Sequence, residues 1–373
     1  MRYYLIAGEA SGDLHGAYLM QAIKAQDPKA EFRFWGGDHM AELGGEPVKH
    51  YRDLAFMGFV EVVMNLRTIL GNIKLAKEDI IAFAPDRLIL IDYPGFNLRI
   101  AKWARPAGLD ISYYISPQIW AWHKSRVHQI KKNVDRMLVI LPFEEDFYQR
   151  YDYQAHFVGH PLLDVIADYG DSASNSTKDQ IALLPGSRRQ EIKTMLPIML
   201  AAAREKPAYE YVLAQAPAQE DSFYDQLLAS TELPLRFRRV TGQTYALLAS
   251  SRAAMVTSGT ATLEAGLFEV PLVVCYKGNW LSYQIAKRLI DIKYISLVNL
   301  ILDEPLLTEL IQGELKAERL ATELRQILDG PGRERQLAGL KRLKTALGEQ
   351  GAPQRAAQLI IADQMEPKTT SKA

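Results

Sequence analysis

One cysteine in 373 residues, Cys275, excludes a disulfide framework within the chain. It sits in the apolar run Pro271-Leu-Val-Val-Cys-Tyr276, where a buried structural thiol is expected. An excess of one charge is also missing. The 44 Lys and Arg are matched by 44 Asp and Glu, so no whole-molecule field draws nucleic acid and any electrostatic preference is local. No apolar run approaches the roughly 18 residues needed to cross a bilayer. The opening Met1–Ala7 is too short for the apolar core of a signal peptide and runs straight into Gly8-Glu-Ala-Ser-Gly12, so a cytoplasmic protein is expected. The dinucleotide fingerprint G-x-G-x-x-G is absent, since Gly8 and Gly12 stand four apart, and a nicotinamide cofactor is not expected. No D-x-D, no cysteine pair and no H-E-x-x-H occurs. His156 and His160 have metal-ligand spacing, but Gly159 and Pro161 argue against the helix that would align them. Neither a metal nor any other cofactor is therefore expected.

What is present reads as an ordinary globular enzyme, with 48% hydrophobic and 24% charged residues. The length exceeds what one core usually supports, so two domains are expected. Short apolar runs alternate with helical patterns: strands at 3–7, 31–35, 87–91, 111–115 and 136–141, helices at 13–25, 60–83, 96–104 and 127–134. Continuous apolar strands separated by helices imply a parallel sheet covered on both faces. The alternation stops in the polar stretch 168–179 and restarts with strands at 181–184, 211–214, 235–238, 253–256 and 272–275, with helices between. From about Glu304 the pattern reads as all helical, and 367–373 reads as a frayed tail. The expected architecture is two doubly wound, Rossmann-like α/β units facing a cleft. They would cover 1–167 and 180–345, with a C-terminal helix and tail at 346–373 packing back on the first.

In such sheets ligands lie beyond the carboxyl ends of the strands, so the loops there carry the argument. The first, Gly8-Glu-Ala-Ser-Gly-Asp13, is small enough for close backbone approach to a ligand, although Ser11 or Asp13 also reads as a helix cap. Asp92, in Asp92-Tyr-Pro-Gly-Phe-Asn97, is an acid at the mouth of a central strand, placed either for general-base work or as a turn residue. Ser116-Pro-Gln-Ile-Trp-Ala-Trp-His123 offers Trp120 and Trp122 as core residues or as a wall for a ligand, and His123 as a rival base. In the second half Gly186, Ser187 and Arg188 leave a strand and open a helix, an arrangement suited to anions. Ser258, Gly259 and Thr260 would surround a diphosphate with amides and hydroxyls. Glu264, one turn further, suits vicinal ribose hydroxyls.

These segments, with Met57-Gly-Phe-Val-Glu61 and Ser296-Leu-Val-Asn-Leu300, resemble lipid-A-disaccharide synthases in order across nearly the whole chain. The resemblance implies a GT-B-type inverting glycosyltransferase of Gram-negative lipid A assembly that needs no metal. It would join UDP-2,3-diacylglucosamine to 2,3-diacylglucosamine 1-phosphate, giving a β-1,6-linked disaccharide and UDP. Carried over by motif, Asp92 is the candidate base, and Gly186, Ser187, Arg188, Ser258–Thr260, Glu264 and Asn299 belong to the donor side. Glu9, Ser11 and Asp13, with Trp120 and Trp122, belong to the acceptor side. The chain departs from the family pattern at Ala10, Tyr93, Gly95 and His123. Gly95 leaves Asp92 as the one carboxylate of its loop.

The resemblance also implies work at the inner face of the inner membrane, and two features of the chain agree. Between Phe56 and Ile73, the stripe Val62, Val63, Leu66, Ile69, Leu70 and Ile73 is enough to dock a helix on a sheet. Phe56, Met57, Phe59, Val60 and Met64 are surplus to that, and suit acyl chains or a bilayer. From Arg87 to Arg136, nine basic residues face three acids, a local excess suited to anionic headgroups. The oligomeric state is open, a homodimer included. The rivals are an enzyme resembling UDP-N-acetylglucosamine 2-epimerase and a lipid- or nucleotide-binding module without catalysis.

Overall fold

The computed structural model describes residues 1–54, 66–169, 179–279, 283 and 292–362. The chain divides into two compact units, one formed by Met1–Pro161 with the C-terminal segment from Glu349, the other by Leu162–Gly348.

The first unit runs β1 (Arg2–Ala7), α1 (Ala10–Gln26), β2 (Glu31–Gly36), α2 (Asp38–Glu42), β3 (Glu46–His50), α3 (Leu66–Phe83), β4 (Arg87–Ile91) and α4 (Pro94–Ala104). It continues with β5 (Ile111–Tyr114), α5 (Ile119–Trp122), α6 (Arg126–Asn133), β6 (Arg136–Val139), α7 (Phe143–Gln149) and β7 (Ala155–Phe157). Among the described residues the strands form one sheet in the order β3-β2-β1-β4-β5-β6-β7, every pairing parallel. The central strands are apolar throughout because helices cover both faces: every residue of β4, β5 and β6 is buried. β3 and β7, unread in the sequence, are short edge strands: β3 is polar and partly exposed, and β7, with only three residues, is too short to carry an apolar run.

The second unit runs α8 (Leu162–Tyr169), β8 (Gln180–Leu184), α9 (Arg189–Ala203), β9 (Glu210–Gln215), α10 (Asp221–Ala229), β10 (Phe237–Thr241), α11 (Thr244–Ala249) and β11 (Ala253–Thr257). Then come α12 (Thr260–Leu267), β12 (Leu272–Tyr276), α13 (Leu297–Leu302), β13 (Glu309–Ile311), α14 (Ala317–Asp329) and α15 (Pro331–Ala346). Its described strands form a second all-parallel sheet, β10-β9-β8-β11-β12-β13. Cys275 is buried in this core, and burial pushes its thiol up to about 12, which keeps it protonated and inert. The last helix, α16 (Ala352–Ile361), returns to the first unit and packs on α1. Arg87 Nε donates to Ile360 O at 3.0 Å and Arg355 Nε to Val158 O at 2.8 Å, tying the segment to strand ends.

Three expectations need correction. The region after Glu304 is not all helix: Glu309–Ile311 is a strand on the edge of the second sheet, too short for periodicity to reveal and set by its pairing with β12. The first domain does not extend to 167. α8 belongs to the second unit, where it packs on α12 and Tyr169 meets the Tyr245 ring edge-on at 5.6 Å. The docking stripe of α3 is also rotated. Asn72, Ile73, Ala76, Ile80 and Phe83 face inward, while Leu70 is 54% exposed. Asn72 belongs on the inner face because its Oδ1 accepts from Lys49 Nζ at 3.0 Å, a pairing that a hydropathy pattern misses. The surplus residues Phe56–Met64 lie outside the described residues.

Candidate active site

Each sheet reverses its strand order once, between β1 and β4 in the first unit and between β8 and β11 in the second. Outside the carboxyl ends of such strand pairs is where open α/β sheets bind ligands. All four loops at these points carry the motifs read from the sequence.

In the first unit β4 ends in two consecutive left-handed residues, Asp92 at φ 43° and Tyr93 at φ 49°. For non-glycine residues this costs on the order of 1–3 kcal/mol each and persists only where the surroundings impose it. They do so through the Asp92 backbone. Asp92 N donates to Tyr114 O (3.1 Å), and Asp92 O accepts from Tyr113 Oη (2.5 Å) and Asn97 Nδ2 (2.8 Å). Gly8 makes room for the turn, because a Cβ there would stand 2.3 Å from the Tyr93 ring. Strain and bracing together present the Asp92 carboxylate at the strand end. Burial, then the negative charge of Glu9, raise Asp92 to about 7, opposed by the Tyr93 amide. An acid so tuned is half ionised near neutral pH, where a general base is most useful.

The other acceptor-side residues divide. Glu9 is half-buried and lends its field to Asp92, and Ser11 is exposed in the first turn of α1. Neither Ser11 nor Asp13 caps α1, whose N-cap is Glu9. Asp13 is buried and caps a different helix: its oxygens accept from the amides of Gly37 (2.7 Å), Met40 (3.1 Å) and His39 (3.1 Å) at the start of α2. Asp13, expected on the acceptor side, thus braces the start of α2 through three backbone donors. The tryptophans also separate. Trp120 is buried and donates from Nε1 to Glu144 at 3.2 Å, whereas Trp122 is 54% exposed. Of the two, Trp122 alone is open to solvent. Glu144 was missed in the sequence, where it reads as one acid among the Glu144-Glu-Asp146 of a helix start. Buried, it accepts from Ile140 N (3.2 Å) and Leu141 N (3.0 Å) as well, joining the loops after β5 and β6, and burial raises it to about 8.

In the second unit Gly186 has φ 106°, and a Cβ there would stand 2.7 Å from Glu191 Oε2. The turn delivers Arg188 as the N-cap of α9, its amide bonded to Glu191 Oε2 and its guanidinium 3.4 Å from Glu191 Oε1. Ser187 and Arg188 are exposed. Glu191, also missed in the sequence, thus lies where an anion at this helix end would go. At the second strand end Ser258 Oγ donates to Ile295 O (3.0 Å), and Gly259 and Thr260 are exposed. The buried Thr257 Oγ1 has no hydrogen-bond partner among the described residues. Glu264 accepts from Tyr245 Oη (3.3 Å), and burial raises its pKa. Asn299, expected on the donor side, lies in α13. It is buried, its amide group bonded to Leu307 O, Leu307 N and Glu309 Oε1 at 2.8–3.0 Å.

Two parallel sheets, each with its loops of small and polar residues at the strand-order reversal, define a two-unit, doubly wound α/β fold of the GT-B type. The kitacinnamycin glycosyltransferase superposes with a TM-score of 0.67 at 16% identity, covering 96% of this chain and 98% of that one. UDP-GlcNAc 2-epimerase from Neisseria meningitidis superposes with 0.57 at 10%, covering 97% and 98%. These likenesses fix the GT-B-type fold and nothing finer. Sequence decides the family: the lipid-A-disaccharide synthetase model matches residues 3–362. Lipid-A-disaccharide synthase of Syntrophus aciditrophicus is 40% identical, covering 96% of each chain, and that of Myxococcus xanthus 39%, covering 96% and 97%. The chain belongs to the lipid-A-disaccharide synthase family, as a glycosyltransferase of lipid A biosynthesis, and the epimerase alternative falls away.

Proposed function

We propose that the first unit binds the acylated sugar phosphate at Asp92 and the second binds the UDP-sugar at the loops after β8 and β11. The chemistry is the family's, joining UDP-2,3-diacylglucosamine to 2,3-diacylglucosamine 1-phosphate. The acceptor 6-hydroxyl oxygen attacks the anomeric carbon while its proton passes to the Asp92 carboxylate. The bond from that carbon to the diphosphate breaks, and its electron pair leaves with UDP. A sugar hydroxyl is a weak nucleophile at neutral pH, and base assistance is worth roughly 10²–10⁴ in rate. The observation that carries this reading is the braced, strained presentation of Asp92 at the strand-order reversal. Gly186–Arg188 and Ser258–Thr260, aided by the Thr257 hydroxyl, would receive the diphosphate through amides, hydroxyls and one guanidinium. Glu264 would take the ribose. The test is incubation with both sugars while following UDP release. Asp92→Asn should abolish it, and a variant keeping more than about a tenth of wild-type kcat would remove Asp92 as the base.

Work at a membrane surface belongs to the same proposal. Among the described residues no helix is long and apolar enough to cross a membrane. The basic excess is narrower than the count suggested, because Arg87 and Arg136 pair with Asp110 and Arg105 pairs with Asp135. Arg99, Lys102, Lys124, Lys131 and Lys132 remain exposed for anionic headgroups. Changing Met57, Phe59 and Val60 to Ser should reduce liposome binding while leaving UDP affinity unchanged. Binding that survived those changes and high salt would place the membrane-facing surface elsewhere.

A further inference from the structure

Arg126 stands apart from the other arginines of its region. Arg87, Arg105 and Arg136 are each paired with a carboxylate, whereas among the described residues no carboxylate pairs with Arg126. It opens α6, its amide donating to His123 O at 2.9 Å, and its guanidinium carbon lies 5.7 Å from the Trp122 ring centroid. Trp122 itself meets the tilted ring of His123, centroids 4.1 Å apart, and keeps 54% of its surface exposed. The guanidinium also acts on the Tyr113 hydroxyl, the group that braces Asp92, where its charge counters the upward push of burial.

The loop bearing these groups is fixed from beneath. Glu144 holds Trp120, and Ser116 Oγ bonds Tyr148 Oη at 2.8 Å. An exposed aromatic face and a guanidinium without a carboxylate partner are therefore held in place on the loop after β5, which adjoins β4 and Asp92. Adjacent strands lie about 5 Å apart, close to the span of one pyranose ring. An acceptor with its 6-hydroxyl at Asp92 carries its anomeric phosphate at the far side of that ring. A guanidinium is the group best matched to two phosphate oxygens at once.

We propose that Arg126 and Trp122 form the acceptor's phosphate subsite, Arg126 taking the anomeric phosphate and Trp122 lying under the sugar ring. This rests on the acceptor reading of Asp92 and adds to it a determinant of specificity. The test compares 2,3-diacylglucosamine 1-phosphate with the same sugar lacking the phosphate. Arg126→Gln should raise KM for the phosphorylated acceptor about 10–100-fold, the loss expected for hydrogen bonds to a charged group. Its kcat should stay within about 3-fold of wild type, and Tm and UDP affinity should not move. The unphosphorylated sugar should be indifferent to the variant, read as KM or, if it is not turned over, as its inhibition constant against the phosphorylated acceptor. Arg126→Lys, with a point charge in place of a fork, should recover part of the loss. An unchanged KM, an equal loss on both sugars, or wild-type indifference to the phosphate would overturn the subsite. Absence of any transfer by the wild type would instead overturn the acceptor reading beneath it.

Discussion

The two strand-order reversals are alike in topology and opposite in chemistry. At the first, an acid is pushed into a strained turn, half-buried beside a second acid, and raised to about 7. At the second, small residues open two helices, which carry an exposed arginine with its paired glutamate and, one turn further on, the half-buried Glu264. On the proposed reading, one backbone plan serves both to take up a proton and to hold an anion. The difference lies in which side chain stands at the strand end and in how far water screens it.

The sharpest way to break this contrast is Asp92→Asn, with kcat expected to fall by roughly 10² or more. Stability should move the other way. Because the folded-state pKa is raised, folding stability is lost as pH rises from about 4 through about 7. The amide escapes that loss, so Asp92→Asn should be more stable than wild type at pH 8, by on the order of 2 kcal/mol, and equal to it near pH 3. Thermal melts at the two pH values check this; a less stable variant at pH 8 would mean that the Asp92 charge is not under strain. The base limb of kcat/KM should likewise lie near 7 and vanish in any residual activity of the variant. Mutation of each residue separates Asp92 from His123 as the base.

At the second reversal, Arg188→Ala should weaken UDP and inorganic pyrophosphate alike by roughly 1–3 kcal/mol. Glu264→Ala should weaken UDP and spare pyrophosphate, because Glu264 would bond the ribose, which pyrophosphate lacks. Calorimetric titration of both ligands separates the two cases, and an equal loss of both ligands in the Glu264 variant would move that residue off the ribose. A smaller effect of opposite sign is expected for Glu191→Gln. The helix cap survives in the amide, but the carboxylate no longer repels an anion, so UDP should bind roughly two- to five-fold tighter. Weaker binding would show that Glu191 supports the site. Smallest at the ligand is Asn299→Ala, which should leave UDP affinity unchanged while costing about 1–3 kcal/mol of stability through its orphaned partners. Lost UDP affinity at unchanged stability would mean that Asn299 contacts the donor.

Much of this was legible in the order of residues. Continuous apolar runs with helices between them specify buried parallel strands, and the loops after β1, β4, β8 and β11 carry their chemistry in local composition. Such features are local, set by periodicity and by the backbone freedom of small residues, so one sequence suffices to read them. Which polar groups are already used is a different matter. Asp13 and Asn299 look like ligand-facing residues in their motifs, and only the fold brings them to the amides of α2 and to Leu307 and Glu309. Glu144, Glu191 and Arg126 look like ordinary surface charges in helix starts. The fold buries the first, sets the second on a helix end and leaves the third with no carboxylate among the described residues. The short edge strand at Glu309–Ile311 and the transfer of α8 to the second unit likewise depend on partners far away in the chain. Hydrogen-bond satisfaction, burial and charge pairing are properties of neighbours in space, and the tertiary structure alone supplies those neighbours.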